Sequence, residues 1–214
     1  KVHDLALRGK GGTSQVEVNA FGREVRELTR IEGQRGSEAW LTIDNDLQKF
    51  VAKRLGERPA SAVVMDIHTG EVLALVSTPS FDPNIFNKGL SQAEWKQLIS
   101  NPHSPLTNKA IAGQYAPGSV FKMIVALAAL EKGVISKNFR VFCNGEIELG
   151  ETLFHCWRIK GHGHMDLFNA IAQSCDIFFY EIALKTGINR IAAMARRLGL
   201  GQKLNIELPG EKAG

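Results

Sequence analysis

Hydrophobic and polar residues change rhythm repeatedly along this chain, and each change marks an element. Between residues 15 and 25 they alternate, the period-two signature of a strand, with Phe21-Gly22 as the turn of a hairpin too small to form a core of its own. A Gly-rich boundary at 33–36 follows, and then an apolar run at 39–43 that predicts a short strand. Leu47, Phe50, Val51 and Leu55 recur at helical spacing, which predicts a helix over 46–55. Two β-branched runs, 62–67 and 72–76, flank His68-Thr69-Gly70-Glu71 and predict a buried hairpin. The proline-rich stretch 78–84 reads as a loop. Ser91 and Glu94 spell a capping box that opens a helix to about 99.

The second half is more helical. A Pro117-Gly118 turn runs into an apolar helix that Gly133 stops. Residues 139–165 show no period and read as irregular, whereas 166–173, 176–185 and 189–198 read as helices, the last with Asn189 as N-cap. A strand-like stretch at 204–208 precedes a Pro209-Gly210 turn.

Composition narrows the class only broadly. The 214 residues are 44% apolar and 22% charged, enough for one sizeable domain or one domain with an appendage. The net charge of +4 is scattered, and Arg23-Glu24-Val25-Arg26-Glu27 alternates in sign as solvated surface does, so nucleic acid is not an expected partner. The longest apolar run, 123–130, is too short to span a bilayer, and the first residues contain no signal-peptide core, as would hold equally for a processed or truncated product. Three cysteines leave the redox compartment open.

Candidate chemistry begins at Ser119 and Lys122. Residues three apart share a helix face, so both side chains can enter one cleft. A serine hydroxyl needs a base to become a nucleophile, and a lysine serves only when burial or the positive end of a helix dipole draws its pKa down. The start of the same helix also offers unpaired backbone N–H groups suited to an oxyanion. Fifty-five residues further on, Ser174-Cys175-Asp176 lies in a break between two predicted helices and adds a second hydroxyl and a carboxylate for proton relay.

Ser119-x-x-Lys122 followed by Ser174-Cys175-Asp176 resembles the paired motifs of penicillin-binding proteins and serine β-lactamases. The stretches 62–84, 113–122 and 173–180 narrow the resemblance to class B transpeptidases, and within them to the elongation-type penicillin-binding protein 2 group. The resemblance implies an α+β fold, an antiparallel sheet flanked by helices, incomplete at the C-terminus. Residues 1–37 would be a remnant of the non-catalytic pedestal, and 38–214 the N-terminal part of the transpeptidase domain. Ser119 would be the acylated nucleophile, Lys122 its base and Ser174 the bridge to the substrate nitrogen. Asp176 stands where many relatives have Asn, and would pair with Lys122 or orient substrate. Lys185-Thr186-Gly187 spells the third family motif but follows Ser174 too closely, and it reads as a helix end, so the true third motif is expected outside this chain.

Cys143, Cys156, His162 and Cys175, separated by twelve, five and twelve residues, offer a tetrahedral zinc set, with His155 and His164 as substitutes for His162. One disulfide plus a free thiol fits the same residues equally well. The resemblance favours structural zinc, since some members of the group carry a metal site in this region.

The resemblance also implies a periplasmic enzyme held at the inner membrane by an upstream anchor. It would crosslink peptidoglycan stem peptides, be acylated by β-lactams, and work with a SEDS-family glycosyltransferase and the elongation machinery. No cofactor would be needed for catalysis. A β-lactam hydrolase or sensor on the same fold, or a non-enzymatic scaffold, are the alternatives.

Overall fold

The computed structural model describes residues 2–214, which form two compact units, 2–113 with Asn205–Glu211 and Gln114–Leu204 with Lys212–Gly214.

The first unit opens with a short helix, α1 (Asp4–Arg8), and an exposed antiparallel hairpin of β1 (Thr13–Val18) and β2 (Glu24–Ile31). The Asn19 side chain fixes its turn by accepting from the backbone N–H groups of Phe21 and Arg23. No strand forms at 39–43. The Thr42 hydroxyl and the Asp44 N–H reach the carbonyls of Val72 and Leu73, but Trp40 and Leu41 stay exposed, so the apolar run gains no sheet partner. Asp44 instead caps α2 (Asn45–Leu55), accepting from the N–H groups of Asp46 and Leu47.

β3 (Ala60–Met65) and β4 (Val72–Thr78) pair antiparallel. Their burial is uneven: Ala74, Val76 and Thr78 are buried, while Val63 and Met65 remain about half exposed, so the hairpin is buried along one strand only. The Gln48 amide docks α2 onto β4 by donating to the Leu75 carbonyl at 2.9 Å and accepting the Leu75 N–H at 2.8 Å. Three helices complete the unit: α3 (Ile85–Lys88), α4 (Gln92–Ser100) and α5 (Lys109–Ala112). The Ser91–Glu94 capping box forms at the head of α4 as its sequence predicts.

The second unit is a helical core with two small sheets. A 3-10 turn, Gly118–Val120, leads into α6 (Phe121–Glu131). The stretch expected to be irregular contains four short strands: β5 (Val141–Cys143), β6 (Glu146–Leu149), β7 (Thr152–His155) and β8 (Gly163–Met165). β5 pairs with β8 and β6 with β7, all antiparallel. Strands of three or four residues are too short to show a period, and glycines hold them together. A Cβ on Gly145 would meet the Ile159 carbonyl oxygen at 2.0 Å, and one on Gly161 would meet that of Cys143 at 2.2 Å.

Then come α7 (Leu167–Ala172), α8 (Asp176–Thr186) and α9 (Ile188–Arg197). Asp166 caps α7, and Gly187 ends α8 and leads directly into α9, leaving Asn189 inside the helix rather than at its cap. Ile124, Val125, Ala128 and Ala129 of α6 pack with Ile177, Phe178 and Ile182 of α8 and Ile191 and Met194 of α9. Apolar burial on this scale dominates the unit's stability. No strand forms at 204–208, where Asn205 and Glu207 adopt φ of 58° and 61°, which breaks an extended run.

Candidate active site

Gly118 (φ 57°) takes the left-handed conformation that the tight turn requires, and so places Ser119 in the first turn ahead of α6. Its side chain faces open space, whereas Lys122, one turn on, points into the unit beside the Phe179 ring, 5.7 Å from its centroid. The second motif arrives from the end of α7. There the Ser174 N–H donates to the Ile171 carbonyl at 3.1 Å and the Cys175 N–H to the Ala170 carbonyl at 2.9 Å. That pair of bonds is a Schellman closure with Ser174 at the position glycine usually fills. Ser174 has φ 51°, a conformation disfavoured for a side-chain-bearing residue by roughly 1–2 kcal/mol.

The turn aims Ser174 at Lys122. The amine donates to the Ser174 carbonyl at 2.9 Å, to Ser174 Oγ at 2.9 Å and to Asp176 Oδ1 at 2.6 Å. Ser174 Oγ in turn donates to Ser119 Oγ at 2.8 Å. Among the described residues Ser119 and Lys122 share no direct hydrogen bond, and Ser174 stands between them. The four residues singled out in the two motifs thus form one connected group.

Asp176 is the first residue of α8, and its other oxygen accepts the Trp157 backbone N–H at 2.9 Å. Partial burial works to raise its pKa, but hydrogen bonds from Lys122 and Trp157 and the lysine charge outweigh that and hold the carboxyl below its ordinary range. Trp157 also donates its indole N–H to the Gln173 carbonyl at 3.0 Å. Nothing in the sequence pattern points to Trp157. The only available signal is its place directly after Cys156, as Asp176 follows Cys175.

Behind this group, the side-chain ligand atoms of Cys143, Cys156, His162 and Cys175 all lie within 4.8 Å of one another. His162 Nδ1 is 3.6 Å from the Cys143 sulfur and 3.4 Å from that of Cys156. A tetrahedral zinc with ordinary Zn–S and Zn–N bonds sets sulfur–nitrogen edges of about 3.5 Å, so the edges from Cys143 and Cys156 to His162 suit the ion. All three cysteines are free thiols. Burial, and then the neighbouring Cys143 and Cys156, push the Cys175 thiol up to about 12, while desolvation and the Arg158 charge lower the His162 pKa and keep the imidazole neutral. A bound dication reverses the thiol shift, since coordination favours thiolate. The two substitute histidines lie elsewhere: His164 packs edge-on against Phe142, and His155 is exposed, 3.9 Å from the Glu146 carboxylate.

Lys185-Thr186-Gly187 closes α8. Thr186 is buried with its hydroxyl on the Ile182 carbonyl, and Gly187 adopts φ 81°.

A hydroxyl at the head of α6 is thus joined to a partly buried amine through a second hydroxyl, on a mixed helix-and-strand fold. The chain belongs to the penicillin binding protein transpeptidase domain family, whose model matches residues 60–214. The peptidoglycan D,D-transpeptidase MrdA of Escherichia coli K12 is 38% identical over 216 aligned residues, covering all of this chain and 34% of that protein. Penicillin-binding protein 2 of Helicobacter pylori, solved in complex with MreC, superposes over 100% of this chain and 40% of its own, with TM-score 0.87 and 34% identity. The Pseudomonas aeruginosa protein, solved with WCK 5153, covers 85% of this chain and 40% of its own, with TM-score 0.79 and 38% identity. The chain therefore spans about a third of the length of the curated relatives it matches.

Proposed function

We propose that this chain carries the nucleophile and proton relay of a peptidoglycan D,D-transpeptidase acting in cell elongation. The observation that supports it is the unbroken line of hydrogen bonds from the Lys122 amine through Ser174 Oγ to Ser119 Oγ. With Lys122 charged, the line donates towards Ser119. Once the amine has given its proton to solvent, both hydroxyls can turn, so that Ser119 donates to Ser174 and Ser174 to Lys122.

Ser119 Oγ then attacks the penultimate D-Ala carbonyl of a stem peptide. Its proton passes through Ser174 to Lys122 as the Oγ–C bond forms. When the C–N bond breaks, the same proton returns through Ser174 to the leaving D-Ala nitrogen. An amine of a neighbouring stem, the diaminopimelate side chain, attacks the acyl-enzyme; its N–C bond forms as the Oγ–C bond breaks, one of its protons passes through Lys122 and Ser174 to Ser119 Oγ, and the crosslink is complete. β-Lactams acylate Ser119 by the same first step, because their strained amide imitates D-Ala-D-Ala. Asp176 orients Lys122. The third motif and the remaining oxyanion donors are supplied by sequence beyond this chain, as the greater length of the relatives supports.

The donor set at Cys143, Cys156, His162 and Cys175 holds a structural zinc ion that fixes the loop behind the second motif. Residues 1–37, with the exposed β1–β2 hairpin, are the end of a pedestal domain. The enzyme works in the periplasm, anchored in the inner membrane by a segment outside this chain; no helix among the described residues is long and apolar enough to cross a membrane. Its partners are a SEDS-family glycosyltransferase and other elongation proteins, in keeping with the MreC complex of the H. pylori relative.

Intact-mass spectrometry of the full-length protein after penicillin treatment tests the assignment. One penicilloyl adduct, mapped to Ser119 and lost in Ser119→Ala, is expected. No adduct, or one that persists in Ser119→Ala, overturns it.

A further inference from the structure

Trp157 belongs to neither motif, yet one of its N–H groups ends on the second motif and the other on the residue just before it. The backbone N–H donates to Asp176 Oδ2 and the indole N–H to the Gln173 carbonyl. Gln173 is the last residue before the left-handed turn at Ser174, where carbonyls leaving a helix need outside partners. The Gln173 carbonyl takes the indole, and the Ser174 carbonyl takes the Lys122 amine. The two peptide groups that flank the Ser174 α-carbon are therefore each held by a side chain. A residue at φ 51° lacks intrinsic preference for that conformation, so these two bonds add to the Schellman bonds in holding the turn.

Burial does not explain the indole's placement. Trp157 is 64% exposed, and its ring meets the edge of His162, 5.2 Å away between centroids. A large apolar ring left in water, with its single polar edge committed to one carbonyl, contributes through that hydrogen bond more than through packing.

We propose that Trp157 is a positioning residue of the acylation site. Its two N–H groups hold the Gln173–Ser174–Asp176 turn so that Ser174 Oγ stays in reach of Ser119 and Lys122 together. The proposal rests on the acyl-enzyme reading given above.

The test uses the full-length protein with Trp157 replaced by β-(3-benzothienyl)alanine, which keeps the ring shape and puts sulfur in place of N–H, and in parallel Trp157→Phe. Acylation by a fluorescent penicillin is resolved into a non-covalent binding constant and a first-order acylation rate, alongside melting temperature and bound metal. Both variants are expected to lose roughly five- to tenfold in the acylation rate, the worth of one hydrogen bond, with the binding constant and metal content unchanged and the melting temperature lowered by no more than a single hydrogen bond implies. A benzothienyl variant acylated at the wild-type rate overturns the proposal. So does a loss confined to the binding constant, which would make Trp157 a substrate contact, or one matched by loss of metal. A wild-type protein that is never acylated sinks the acyl-enzyme reading itself, and this one with it.

Discussion

Lys122 Nζ stands 2.6 Å from Asp176 Oδ1, closer than to either of its acceptors on Ser174, both at 2.9 Å. The pair is mostly sheltered, with 16% and 22% of the two side chains exposed. Removing one member therefore leaves the other without its main partner in a partly dry site. Asp176→Ala is expected to cost about 1–3 kcal/mol of stability and at least about a hundredfold in acylation. Asp176→Asn keeps one acceptor oxygen, enough for Lys122 or for the Trp157 N–H but not for both, and should fall between the alanine variant and wild type. Melting curves and penicillin acylation rates of the two variants check this; an alanine variant as reactive as wild type would exclude the orienting role.

Ser174 allows strain and chemistry to be separated. Glycine accepts φ 51° freely whereas alanine does not, and neither supplies a hydroxyl. Ser174→Gly should match or exceed Ser174→Ala in stability by about 1 kcal/mol, while both lose acylation by about a hundredfold or more. Equal melting temperatures for the two variants would argue that the turn stores no strain.

Metal content and melting temperature together test the zinc proposal. Protein purified without chelator should carry one zinc per chain by elemental analysis, and Cys156→Ser should lose it. Stripping the ion should lower the melting temperature by about 5–15 °C, because the folded state alone presents the assembled donors. A metal-free protein with an unchanged melting temperature would leave the four residues as a packing cluster.

The acid limb of stability should contain a contribution from Asp166. Its carboxylate caps α7 by accepting the Asn169 N–H at 2.8 Å and pairs with Arg140 at 2.8 Å; the backbone bond foremost, helped by the guanidinium charge, lowers its pKa against the opposing pull of burial. A folded pKa below the unfolded one contributes stability above the unfolded value and loses it as pH falls through the folded value. Asp166→Asn keeps the cap without the titration. The stability difference between wild type and this variant should therefore shrink below about pH 4 and vanish once the folded carboxyl is protonated. Paired thermal melts from pH 2 to 6 check it; a gap that stays constant would contradict the assignment.

The sequence made the helices legible because their signals are local and strong. Ser91 with Glu94, Asp166 at its cap and Gly187 at the end of α8 each fix one terminus by a bond to the adjacent backbone. The run at 39–43 misled because β-propensity reports a surface that fits a sheet, and no neighbouring strand accepts Trp40 and Leu41. The strands between 141 and 165 escaped for the opposite reason. Three or four residues carry no rhythm, and their pairing depends on close backbone approaches at Gly145 and Gly161.

At the site, residue types and order pointed to Ser119, Lys122, Ser174 and Asp176, and the donor set pointed to the three cysteines and His162. The left-handed turn at Ser174 lay beyond such reasoning, since serine there breaks the local preference that a glycine would have advertised. Trp157 was hidden as well. Its contribution comes from two N–H groups whose targets are sixteen and nineteen residues away in sequence.

Two of the sulfur donors sit next in sequence to groups that steer the amine: Cys156 precedes Trp157, and Cys175 lies between Ser174 and Asp176. If the proposed function holds, loosening the cluster would disturb Ser119 towards stem peptides and β-lactams alike, so altering those ligands would bring a bacterium no drug resistance without weakening its own wall in the same stroke.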